Sequence, residues 1–175
     1  MIHWLATEYR MFRILGLDTA ETARYLALAI KAFDRLDEDA EKRFGLPPKL
    51  DGFFTRDDIP HDFFKSGSGY RFERSDGFAG YECAGSDYAC ASHNGMSAEN
   101  MLRDGYFISQ DQVTGLFEGF GMAAFLLPDD AEYDGMKLRH EARARVDRLI
   151  RLFRDNQWMI GIETPSGWKQ VPEAW

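Results

Sequence analysis

The 175-residue chain has the length of one ordinary domain, and its 45% apolar content is enough to build a core. A formal charge of −8 argues against a phosphate-backbone partner, which needs a basic face, so nucleic acid is not expected. No apolar run approaches the ~20 residues that cross a bilayer, and the N-terminus lacks the basic-then-apolar pattern of a signal peptide, so the expectation is a soluble chain without a membrane partner.

Leu5, Tyr9 and Phe12 mark one helical face, and Gly16 can close that helix in a left-handed conformation. Asp18 can cap a second helix with Glu21 at the capping-box position. Ala23, Leu26, Ala27, Ile30, Phe33, Leu36, Ala40 and Phe44 then keep helical spacing until Gly45 and Pro47-Pro48. So short a connection predicts an antiparallel hairpin over residues 2–45.

Residues 46–108 show no sustained periodicity. They hold eleven aromatics, from Phe53 to Phe107, and half of the glycines, which is too aromatic for a disordered linker and predicts a long loop ordered against the helices. Cys83 and Cys90, with His93 close behind, admit three readings: free thiols, a local disulfide or part of a metal site. A disulfide would imply export. Three candidate ligands fall short of a structural zinc set, so no metal and no cofactor is expected.

Ser109-Gln-Asp-Gln112 is a capping box that opens a second hairpin over 109–156. The helix that follows is apolar nearly all round, which predicts burial, and Gly115, Gly119 and Gly121 suggest close approach of neighbouring backbones. The next helix, from about Gly135 to Asp155, turns Leu138, Ala142, Val146, Leu149, Ile150 and Phe153 inward. Its arginines, Arg145 and Arg148 among them, read as a solvated face interrupted by Glu141, Asp147 and Asp155. The tail 157–175 carries a small β-hairpin around Thr164-Pro-Ser-Gly167.

Ser109-Gln-Asp-Gln112, Gly115-Leu116, Leu126-Leu127 and Asn156-Gln-Trp158 resemble a bacterial (α/α) toroid of the six-hairpin glycosidase-like kind. Leu5-Ala-Thr-Glu-Tyr9, Ala32-Phe-Asp-Arg-Leu-Asp37 and Gly52-Phe-Phe-Thr-Arg-Asp-Asp58 are similar to it as well. The fold so implied is mainly α, a single helical domain with two antiparallel helical hairpins of an incomplete toroid, the long loop and the β-hairpin. Two hairpins stand where a closed ring has six, so a fragment is implied, or an open piece that self-associates or joins the remaining hairpins.

The activity the resemblance implies is glycoside cleavage by a carboxylate pair, one group protonating the leaving oxygen and the other activating water or attacking the sugar. Asp111, two residues past its cap, is the first candidate, and Asp58 is its expected partner from the loop. Arg56, Asp87, Tyr106, Gln112 and Trp158 are candidates for contact with a carbohydrate ligand. The same residues admit plainer readings as dipole compensation, turn formers and core aromatics. The alternatives to a hydrolase are a noncatalytic binding or scaffold module and an acidic inhibitor that mimics nucleic acid.

Overall fold

The computed structural model describes residues 1–43, 46–54, 110–164 and 167–170. They form four helices and two small antiparallel hairpins: α1 (Ile2–Leu15), α2 (Ala20–Arg43), α3 (Gln110–Leu126), β1 (Glu132–Tyr133), β2 (Met136–Lys137), α4 (Leu138–Asp155), β3 (Gly161–Thr164) and β4 (Gly167–Gln170). The described residues are therefore mainly helical. No helix among the described residues is long and apolar enough to cross a membrane.

Local chemistry sets the helix ends. Gly16 adopts φ +69°, its N–H bonds the Arg13 carbonyl, and the Leu17 N–H bonds the Phe12 carbonyl, which together are the Schellman closure a left-handed glycine permits. Two residues after Gly16, Asp18 Oδ1 accepts the Ala20 N–H at 2.9 Å and starts α2. The end of α4 repeats the closure, with Gln157 N–H on the Arg154 carbonyl and Trp158 N–H on the Phe153 carbonyl. There the left-handed position is Gln157, at φ +58°.

The principal contacts run in a cycle: α1 packs on α2 and α3, α3 on α4, and α4 back on α2. The middle of that cycle is apolar. Phe33 of α2 meets Phe120 of α3 edge-on at 5.2 Å and Phe54 at 5.6 Å, and Phe117 approaches Phe153 of α4 at 6.2 Å. Ala6, Ile30, Leu127, Leu138 and Leu149 complete a continuous core.

The all-round apolar surface of α3 is not enclosed all round: Phe125 is 77% exposed and Met122 is also open, while Val113, Phe120 and Ala123 are buried. Gly119 alone of its three glycines meets a close neighbour among the described residues. A Cβ there would stand 3.1 Å from Ile2 Cβ, which is where α1 crosses. The break after α3 also contains more than Pro128 suggests. Asp134 and Gly135 lie at φ +50° and +77°, the two positive angles of a type I′ turn, and pair Tyr133 with Met136 in a hairpin that runs straight into α4.

Candidate functional site

On α2 the buried positions are Thr22, Ala23, Leu26, Ala27, Ile30, Phe33, Asp37, Ala40 and Glu41 among those described. The stripe takes a step of four from Phe33, to Asp37, where the apolar pattern had stepped three to Leu36. Leu36 is only partly buried. Two carboxylates thus occupy core positions, and a third, Asp34, stands beside them.

Their partners come from two directions. From α4, Arg145 pairs with both Asp34 and Glu141, and Arg148 Nη1 reaches Asp34 Oδ1 at 3.0 Å and Asp37 Oδ2 at 2.5 Å. These two arginines, expected in solvent, point inward; Arg145 is 6% exposed, whereas Ile150, expected inside, is open. Burial opposes the charge on Arg145, but its hydrogen bonds to Asp34 and Glu141 outweigh this and raise its pKa.

From the segment after α2, backbone N–H groups supply the rest. Asp51 and Gly52 donate to Asp37 Oδ1 at 3.2 and 3.1 Å, and Lys49 N–H lies 3.4 Å from Glu41 Oε2. Gly52 is at φ +98°, and a Cβ there would press to 3.1 Å on the Arg148 carbonyl oxygen, so only glycine lets this turn lie against α4.

Burial dominates the titration of the two carboxyls. It pushes Asp37 up to about 6 even though the Arg148 hydrogen bond pulls the other way. Among the described residues no cation hydrogen-bonds the Glu41 carboxylate, and burial pushes it up to about 8. Its Oε1 is buried and accepts no hydrogen bond among the described residues. Oxygens of Asp37, Glu41 and Asp51 lie within 4.8 Å of one another, a donor set of oxygen ligands for a hard cation.

Beside this cluster opens a pocket of about 430 Å³, lined by Asp51, Arg148, Arg151, Asn156, Glu163 and Trp168 together with Leu50, Leu152 and Asp155. Three elements build it. The last turn of α4 gives one wall, the 46–54 segment a second, and the β3–β4 hairpin a third, in which Glu163 and Trp168 are cross-strand partners and share a face. Trp168 is anchored edge-on against Phe53 at 6.0 Å. Lys49 Nζ bridges two walls, 2.5 Å from Glu163 and 3.7 Å from Asp51, and the Glu163 hydrogen bond raises its pKa.

Of the residues the sequence singled out, Asp111 is exposed in the first turn of α3, beside half-buried Gln112. Trp158, 59% exposed, follows α4 at φ +62°. None of the three lines the pocket. Asp58, Arg56, Asp87 and Tyr106 lie outside the described residues, as do Ser109, Cys83, Cys90 and His93.

The residues that do converge were legible only in part. Asp34, Asp37 and Glu41 continue the α2 stripe, and Arg145 and Arg148 share a face of α4, so complementary charge at helical spacing was the available signal. No protein-family model matches the chain, and no curated protein or solved structure matches it either.

Proposed function

We propose that this chain is a carbohydrate-binding helical module whose ligand sits in the pocket at the end of α4. The observation that supports the reading is the composition of that pocket: one anchored indole, the carboxylates of Asp51, Asp155 and Glu163, the Asn156 amide and the Arg151 guanidinium in a concave space of about 430 Å³. A sugar presents hydroxyls that both donate and accept, beside an apolar C–H face. Carboxylates take the donated hydrogens, guanidinium and amide groups serve the oxygens, and an aromatic ring takes the C–H face.

Binding suits these groups better than bond cleavage. Asp51 and Glu163, two of the three lining carboxylates, are both engaged by the Lys49 ammonium, at 3.7 and 2.5 Å, so their oxygens serve as fixed acceptors in an ion pair. Titration calorimetry of the full chain against a panel of neutral oligosaccharides tests the proposal. Saturable binding by one member is expected, with affinity lost in Trp168→Ala and weakened roughly tenfold in Arg151→Ala, about the worth of one hydrogen bond to a charged group. Absence of binding across the panel, or variants that bind like the parent, would sink it.

A catalytic form of the same reading keeps Asp111 as one carboxylate and Asp58 as the other. Its support is the position of Asp111 in the first turn of α3, where the helix dipole favours a carboxylate. Asp111→Asn should then abolish glycoside turnover and leave folding intact; turnover retained in that variant removes Asp111 from the chemistry.

A further inference from the structure

Bringing three carboxylates together, two of them buried and Asp51 half-buried, is costly unless each is neutralised and hydrogen-bonded. Asp37 is answered by Arg148 and by the N–H groups of Asp51 and Gly52. Asp51 Oδ1 accepts the Phe53 N–H at 3.1 Å, but among the described residues its Oδ2 meets only the distant Lys49 ammonium at 3.7 Å, which sits much closer to Glu163. Glu41 is fully buried, its Oε2 has one long hydrogen bond, and its Oε1 has no partner among the described residues. Among the described residues, the carboxyl groups of Asp34, Asp37, Glu41, Asp51, Glu141 and Glu163 outnumber the cations Arg145, Arg148 and Lys49.

We propose that Asp37, Glu41 and Asp51 form a divalent-cation site, selective for calcium over magnesium, that clamps the 46–54 segment onto α2. A proton on Glu41 would neutralise that residue alone, whereas a cation among the three oxygens offsets the charge of all three carboxylates. Size decides between the ions. Bonds of ~2.3–2.6 Å let ligands on opposite sides of calcium stand up to about 5 Å apart, while magnesium bonds of about 2.1 Å require them within about 4.2 Å. The three oxygens lie within 4.8 Å of one another, inside the span that calcium bridges without rearrangement. Glu41 and Asp37 come from one turn of α2 and Asp51 from beyond its end, so the ion joins parts of the chain that only folding brings together, and binding is folding free energy.

The site shares Asp51 with the sugar pocket but neither Asp37 nor Glu41, so the two readings can be tested apart. The test uses the full chain, stripped with a chelator and titrated with CaCl₂ or MgCl₂ while thermal unfolding is followed. Terbium luminescence excited through tryptophan, displaced by calcium, reports binding directly. A single saturable calcium event is expected, with the midpoint raised by roughly 5–10 °C at a hundredfold excess over Kd and a smaller rise with magnesium. Glu41→Gln, which keeps the shape and removes the charge, should weaken calcium binding roughly tenfold or more; Asp51→Asn should weaken it too. Arg151→Ala, which alters the pocket and none of the three ligands, should keep the calcium response whether or not oligosaccharide binds. A parent chain with no saturable calcium event at millimolar CaCl₂, or a folded Glu41→Gln variant with unchanged affinity, overturns the proposal.

Discussion

The first and second halves of α2 turn the same stripe to the interior and bury opposite chemistries on it. From Ala23 to Phe33 the stripe is apolar and meets an apolar surface, ending on the edge of Phe120. From Asp34 to Glu41 it is acidic and meets two arginines and a run of backbone N–H groups. Helix geometry decides which positions face inward, whatever occupies them. The occupant decides only what the neighbouring element must supply. The apolar half needs shape from its neighbours, and the acidic half needs donors at fixed points, so the second half constrains α4 and the turn at Gly52 more tightly.

The comparison is most easily broken at the junction. Phe33→Ala empties a fully packed position between Phe120 and Phe54, and a loss of ~3–5 kcal/mol is expected from urea unfolding. A loss below about 1 kcal/mol would show that the apolar half is not the main source of stability.

On the acidic side, Arg148→Met should cost about 3 kcal/mol, because it strands Asp37 as a buried charge with backbone donors alone. Adding Asp37→Asn should recover part of that loss, since the stranded charge goes with it. If the single and double variants unfold at the same urea concentration, Asp37 is not the charge that Arg148 compensates.

The two halves differ equally in how far they could be read beforehand. Every buried residue from Ala23 to Phe33 lies on the predicted stripe, and Gly16 and Asp18 end and begin their helices by the chemistry expected of them. Beyond Phe33 a rule that counts apolar residues follows Leu36 and passes over Asp37 and Glu41, because an acid on a helix is usually solvated. What makes these two tolerable inside is remote in the chain: Arg148 on α4, and a turn that only glycine at position 52 can form. The pocket is harder still to foresee. Its walls come from three segments, and Asp51 gives no local sign that it will stand near Glu163. Asp111 was legible as a first-turn acid, since that depends on its own helix alone.

Acidity itself offers a gentler probe. The folded pKa values of Asp37 and Glu41, about 6 and about 8, lie above the ordinary values of 3.8 and 4.5. The folded state therefore holds protons that the unfolded chain has released. The contribution of these groups is fully present below about pH 4 and declines as pH rises, through about 6 for Asp37 and about 8 for Glu41. In calcium-free buffer, urea unfolding should show stability falling from pH 5 to pH 8. Glu41→Gln, which cannot ionise, should flatten the upper part of that fall and be more stable than the parent at pH 8, on the order of 2 kcal/mol. A parent profile that rises across this range would mean that Glu41 is ionised and satisfied in the folded chain.

The smallest expected effect tests the register of the stripe itself. Leu36 continues the apolar spacing on paper, yet it packs only partly against the core, while Asp37 beside it is fully buried. Truncating a partly buried leucine removes a fraction of its contacts and leaves no enclosed cavity, so Leu36→Ala should cost about 1 kcal/mol. That is well short of Phe33→Ala three residues earlier. Equal losses in the two variants would place Leu36 on the inner stripe and turn Asp37 toward solvent. The carboxylate cluster, with Arg148 as its counter-charge, could not then exist, so an inexpensive apolar truncation bears directly on the charged half of the helix.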